Sequence, residues 1–143
     1  MICCICSVPL VKEQIYEYDS MRSVIDSSEC AAELIEKVFD GSNLTQEHFW
    51  LIALNGGRRV SGVFEVTVGT LMSSQVHPRE VFNRAILAGA ASIIIAHNHP
   101  SGLLEISEQD REVTKRIKQA GELLGILLDD HIIVGDGHFV SAF

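Results

Sequence analysis

Apolar residues recur along this chain in two rhythms. Ala31, Leu34, Ile35 and Val38 follow the three-and-four spacing of a helical stripe. Asp26-Ser27-Ser28-Glu29 before them has the D-x-x-E form of a capping box, and Gly41, just after Asp40, is the residue type that closes helices. The helical rhythm returns in PREVFNRAILAGA from Pro78, since proline is tolerated in a first turn. It returns again from Ser107, where S-x-x-D caps a helix that runs to about Leu124 with Val113, Ile117, Ala120 and Leu124 on one face. Between these stretches, HFWLIAL (His48 to Leu54) and SIIIA (Ser92 to Ala96) are short unbroken apolar runs, the pattern of buried strands. Asn55-Gly56 turns the first of them into an alternating partner over Arg59 to Thr67. Asp136-Gly137 likewise turns Leu127 to Val134 into His138 to Ser141.

The resulting order, α-β-β-α-β-α-β-β, predicts an α/β fold with a mixed sheet flanked by helices. No repeat or Pro/Ser-rich linker divides it, so the reading is a single domain over residues 26–143, preceded by an N-terminal extended segment over residues 1–25.

Composition narrows the function classes. A chain of 143 residues can bury roughly two-thirds of its unfolded surface, so its core needs no disulfide or structural metal, and any metal would serve chemistry. Eleven basic against 19 acidic residues give a net charge of −8, which argues against binding to phosphate backbones. No apolar run approaches the ~18 residues of a membrane helix. The opening MICCICSVPLVK lacks a preceding basic region and meets Lys12 and Glu13 at once, so it makes a poor signal peptide and a cytoplasmic location is expected. Cys3 and Cys6 form a lone C-x-x-C. With Cys4 and Cys30, they read as free thiols of a reducing compartment.

The chemistry concentrates in His97-Asn98-His99-Pro100-Ser101-Gly102, followed by Ser107 and Asp110. Two histidines one residue apart on extended backbone point to the same side, so both imidazoles can meet one metal. The position beyond the carboxyl end of a buried strand is where ligands gather in open α/β sheets. Asp110, in the first turn of the next helix, can fold back as a third ligand. Two histidines and a carboxylate leave one tetrahedral position for water, the pattern of a catalytic zinc site. The plainer alternative makes the histidines hydrogen-bonded loop residues and Asp110 a carboxylate on the helix dipole.

The pattern H-x-H-P-x6-S-x2-D resembles the metal motif of the JAMM/MPN+ zinc metalloproteases, or JAB domains. Closer still is the RadC-like branch, through VHPREVF (Val76 to Phe82), AHNHPSG (Ala96 to Gly102), SEQD (Ser107 to Asp110) and DHIIVG (Asp130 to Gly135). The resemblance implies a cytidine-deaminase-like fold, one Zn²⁺ per chain held by His97, His99 and Asp110, and hydrolysis of peptide or isopeptide bonds in a protein or peptide substrate. It also implies a glutamate at the start of the first core strand as general base. Glu47 stands there, with Glu65 and Glu80 as rivals. Ser107 combines two roles, helix cap and donor to the oxyanion, the second favoured by the family match.

Two departures bear on specificity and partners. Leu-Leu-Glu-Ile after Gly102 makes the rim more apolar than the family pattern. Longer members carry a helix-hairpin-helix segment with no counterpart here, so nucleic acid and membrane are not expected as partners. The alternative reading is a RadC-type module of nucleic-acid transactions without protease activity, with Arg58, Arg59, Arg79 and Arg84 as its basic patch. Asp130 and His131 are read as hydrogen-bonding support near the site, His77 as a helix cap, and Arg79 with Glu80 as a local ion pair or substrate contact.

Overall fold

The computed structural model describes residues 24–69 and 76–143. Residues 1–23 of the expected N-terminal extended segment, with Cys3, Cys4 and Cys6, lie outside the described residues, and Val24 at its end bridges Arg59 in antiparallel fashion. The elements are α1 (Ser28–Phe39), a 3-10 turn (Gly41–Asn43), β1 (His48–Leu54), β2 (Val60–Val68), α2 (Pro78–Leu87), β3 (Ser92–Asn98), α3 (Glu108–Leu124), β4 (Leu127–Gly135) and β5 (His138–Ser141). The strands form one mixed sheet in the order β2-β1-β3-β4-β5. Only β3 and β4, joined through α3, are parallel.

Alternation along the central strands separates two cores. Trp50, Ile52, Leu54, Ile94, Ala96, Ile132 and Val134 face Ala31, Leu34 and Ile35 of α1. Phe49, Leu51, Ile93 and Ile95 face Val81, Phe82 and Ala85 of α2 and Val113 and Ile117 of α3. Each large aliphatic side chain fully withdrawn from water contributes ~1.5–3 kcal/mol, so both layers hold the central strands rigidly.

Helix ends differ from expectation where tertiary packing competes with local capping. Ser27, not Asp26, caps α1, its hydroxyl accepting from the Cys30 N–H. At the other end Asp40 itself takes the left-handed conformation (φ 52°). Gly41 is needed for closeness instead: a Cβ there would stand 3.2 Å from each of Ile35, Trp50 and Val134. α2 stops at Leu87 rather than about Ala90, because the chain turns at Gly89 with φ 64°. β3 runs two residues past Ala96, since β1 pairs with His97, and β4 with His97 and Asn98. One of the two motif histidines therefore lies inside a fully paired strand.

Candidate metal centre

The end of β3, the beginning of β1 and the first turn of α3 meet at one edge of the sheet. β1 runs antiparallel to β3 with Phe49 opposite His97, which brings Glu47 beside the carboxyl end of β3. His97 is 1% exposed and its ring stacks on Phe49 at 6.2 Å between centroids. The loop that carries His99 lies against the end of β4. A Cβ at Gly135 would stand 3.2 Å from the His99 carbonyl oxygen, so glycine there permits the approach.

Asp110 enters from the first turn of α3 and is fixed by the start of its own helix. The Ser107 N–H and hydroxyl donate to Oδ2 at 2.8 and 2.7 Å, and the Asp110 N–H donates back to Ser107 Oγ at 3.1 Å. This reciprocal box occupies Oδ2 and leaves Oδ1 facing His97 Nε2 at 3.1 Å. Burial pushes the Asp110 carboxyl up, but hydrogen bonding and charge from His97, then the hydroxyl and N–H of Ser107, outweigh it and hold the group well below the usual carboxylate range.

His97 Nε2 is 3.0 Å from His99 Nε2, and His99 Nε2 is 3.7 Å from Asp110 Oδ2. A tetrahedral ion with bonds of about 2.0–2.1 Å keeps its ligand atoms about 3.3 Å apart. The 3.0 Å between the imidazole nitrogens and the 3.1 Å from His97 Nε2 to Asp110 Oδ1 lie close to that, and one ligand atom from each of the three residues lies within 4.8 Å of the others. Two imidazole nitrogens and one carboxylate oxygen are also a donor set suited to zinc with a coordination position left open. His97, His99 and Asp110 thus fit a metal ion.

Glu47, His97, His99, Ser107 and Asp110 line one open cavity of about 710 Å³. Glu65 and Glu80 are not among its lining residues. Glu65 Oε2 is 2.8 Å from His48 Nδ1, and Glu80 is engaged by Arg79 and Arg84. His77 caps α2 by accepting from the Arg79 N–H.

Asp130 and His131 divide between the two faces of the sheet. His131 Nε2 lies 2.9 Å from His97 Nδ1, whereas Asp130 accepts from Ser28 and Ser141 on the α1 side. Burial, then the charge of His97, push His131 down to about 3. Its ring is neutral at pH 7.

Two residues had no local signal in the sequence. Asn98, between the motif histidines, has its carbonyl oxygen accepting from the His48 N–H (2.6 Å) and its amide donating to the Gln46 carbonyl (2.9 Å). It fixes the peptide groups on either side of Glu47 to β3, the strand that carries His97. Thr114, one turn after Asp110, reaches both the Asp110 carbonyl and His131 Nδ1 at 2.7 Å.

A five-stranded mixed sheet with three helices, carrying this cluster at the β3–α3 edge, is an α/β domain of the JAB/MPN type. The chain belongs to the RadC-like JAB domain family, whose model matches residues 25–143. A UPF0758 protein of Rubrobacter xylanophilus is 54% identical over 98 residues, 68% of this chain and 43% of that protein. UPF0758 proteins of Shouchella clausii and Clostridium kluyveri are each 50% identical, over 85% and 82% of this chain and 52% and 50% of their own lengths. The chain spans about half the length of the curated relatives it matches. No helix among the described residues is long and apolar enough to cross a membrane.

Proposed function

We infer that this domain is a zinc-dependent hydrolase of peptide or isopeptide bonds. The observation that carries this reading is the convergence of one ligand atom each from His97, His99 and Asp110, all within 4.8 Å of one another, on the wall of a cavity that Glu47 also lines. Among the described residues, no lysine or arginine lines that cavity. Its wall therefore suits a neutral amide better than a phosphodiester, and this favours a protein or peptide substrate over a nucleic acid.

Zinc held by the three side chains would supply Lewis acidity, lowering the pKa of a water in the open position towards ~7 and polarising the scissile carbonyl. Glu47 accepts the proton of the attacking water and delivers it to the leaving amine as the C–N bond breaks and the water oxygen joins the acyl carbon. Asn98 and the Gly69 N–H, which donates to the Glu47 carbonyl at 2.9 Å, hold the Glu47 backbone in place for that transfer. Ser107 turns its hydroxyl from Asp110 Oδ2 towards the developing oxyanion.

Elemental analysis of the chain purified without a metal-affinity tag, joined to hydrolysis of a quenched-fluorescent peptide and lysyl-isopeptide library, tests this function. One zinc per chain is expected, and Glu47→Gln should keep that zinc while losing at least ~10²-fold in turnover. Absence of zinc from metal-replete protein would overturn the reading. Near-normal turnover by Glu47→Gln would remove Glu47 from the mechanism.

A further inference from the structure

Behind the three ligands runs a buried line of side chains: His97 Nδ1 to His131 Nε2 (2.9 Å), His131 Nδ1 to Thr114 Oγ1 (2.7 Å), and Thr114 Oγ1 to the Asp110 carbonyl oxygen (2.7 Å). His97 and His131 are 1% and 0% exposed and Thr114 is 8% exposed, so water does not substitute for the members of this line. A carbonyl oxygen only accepts, so Thr114 spends its single hydroxyl hydrogen on Asp110 and can only accept from His131. His131 then carries its hydrogen on Nδ1, and the other nitrogen of a neutral ring is an acceptor. That acceptor faces His97 Nδ1, which must hold a hydrogen, so Nε2 is the nitrogen left to face Asp110 Oδ1 at 3.1 Å.

His99 reaches the same state by a separate anchor. Its Nδ1 lies 2.7 Å from the Leu103 carbonyl oxygen, which also only accepts, so Nδ1 donates there and Nε2 is the nitrogen left for a metal. Two backbone carbonyls, one in the rim loop and one in α3, thereby anchor the Nδ1 side of both imidazoles and leave their Nε2 sides facing Asp110.

We propose that Thr114 and His131 are positioning residues for the metal centre, holding His97 in its ligating tautomer and coupling that ring to the backbone of Asp110. The proposal rests on the metal reading given above. The line closes a loop: the helical turn that supplies the carboxylate ligand also sets, through Thr114 and His131, the protonation pattern of the first imidazole ligand. Loss of the Thr114 hydroxyl leaves the His131 Nδ1–H without its acceptor in an apolar surround. The cheapest escape is for His131 to move its hydrogen to Nε2, which confronts His97 Nδ1–H and disorients the ligand. Outer partners of metal-bound histidines typically carry a factor of 10–100 in metal affinity.

The test needs no substrate. Thr114→Val keeps the shape of the side chain and Thr114→Ser keeps the hydroxyl, so Zn²⁺ affinity is measured for both and for the wild-type 143-residue chain by competition with a chromogenic chelator. Thr114→Val should bind ~10–100-fold more weakly, with Thr114→Ser within a few-fold of wild type. Long-range ¹H–¹⁵N spectra of the zinc-loaded wild type should show a hydrogen on Nδ1 of both His97 and His131. Absence of a hydrogen from His97 Nδ1 in the zinc-loaded chain, or equal zinc affinity in wild type and Thr114→Val, overturns the proposal alone. A wild-type chain that takes up no zinc overturns the reading beneath it and the proposal together.

Discussion

Asp130 and His131 are neighbours on β4, both buried polar residues in an apolar sheet, yet they serve opposite sides of the molecule. Asp130 faces α1. Its Oδ2 accepts from the Ser28 hydroxyl at 2.6 Å, and its Oδ1 accepts from Ser141 Oγ at 2.6 Å and the His131 N–H at 2.7 Å. It therefore ties the first residue of α1 and the last strand to the sheet centre. His131 faces α3 and meets His97 and Thr114. The pleat alone assigns them: successive side chains leave a strand on opposite faces, and here one face is filled by a structural helix and the other by the helix that carries Asp110. The difference separates residues that hold the fold from residues that hold the chemistry, and it can be challenged from either side.

The largest effect is expected on the α3 face. His97→Ala or Asp110→Ala should reduce zinc from one per chain to background while the far-ultraviolet dichroism stays that of the wild type, because two cores on either side of the sheet form without the metal. A chain unfolded by either change would make the site structural and erase the contrast between the faces.

Ser107→Ala sharpens the same face. As an oxyanion donor Ser107 should contribute ~10²–10³-fold in turnover, and as the cap of α3 about 1 kcal/mol in stability. Zinc retained with turnover down about a hundredfold supports the donor role. Unchanged turnover with only a lowered melting temperature leaves it the cap observed in the hydrogen bonding of Asp110.

Asp130→Ala probes the other face and should behave in reverse. Removing a buried carboxylate that accepts from two hydroxyls and a peptide N–H leaves those donors unpaired, at a cost of about 2–4 kcal/mol seen as a lower urea midpoint. Zinc affinity should stay within about twofold, since the side chains that Asp130 holds lie on the α1 side and its contact with His131 is to the backbone N–H alone. A large fall in zinc affinity with an unchanged urea midpoint would show that the two faces are not independent.

Much of this was legible along the chain because it depends on neighbours. Two residues of separation across the end of β3 place His97 and His99 together, and the three-residue step from Ser107 to Asp110 builds a capping box that aims a carboxylate at them. The apolar runs of β1 and β3 likewise declared themselves as central strands, and Asn55-Gly56 placed the β1–β2 turn. All of these follow from backbone geometry over a few residues, which sequence spacing encodes directly.

Other roles were decided only when distant segments met. Asn98 finds its partners 50 and 52 residues away, His131 is 34 residues from His97, and Thr114 is 17 residues from His131. Nothing local distinguishes Thr114 from any helical threonine, or says which face of the sheet Asp130 would take. Gly41 shows the same division within one residue: its type marks a helix end, but contact with Ile35, Trp50 and Val134 is what requires a glycine there. Short-range periodicity thus set the elements and the grouping of His97, His99 and Asp110. The partners that orient those ligands depend on sheet order and helix docking, which couple residues that the sequence keeps far apart.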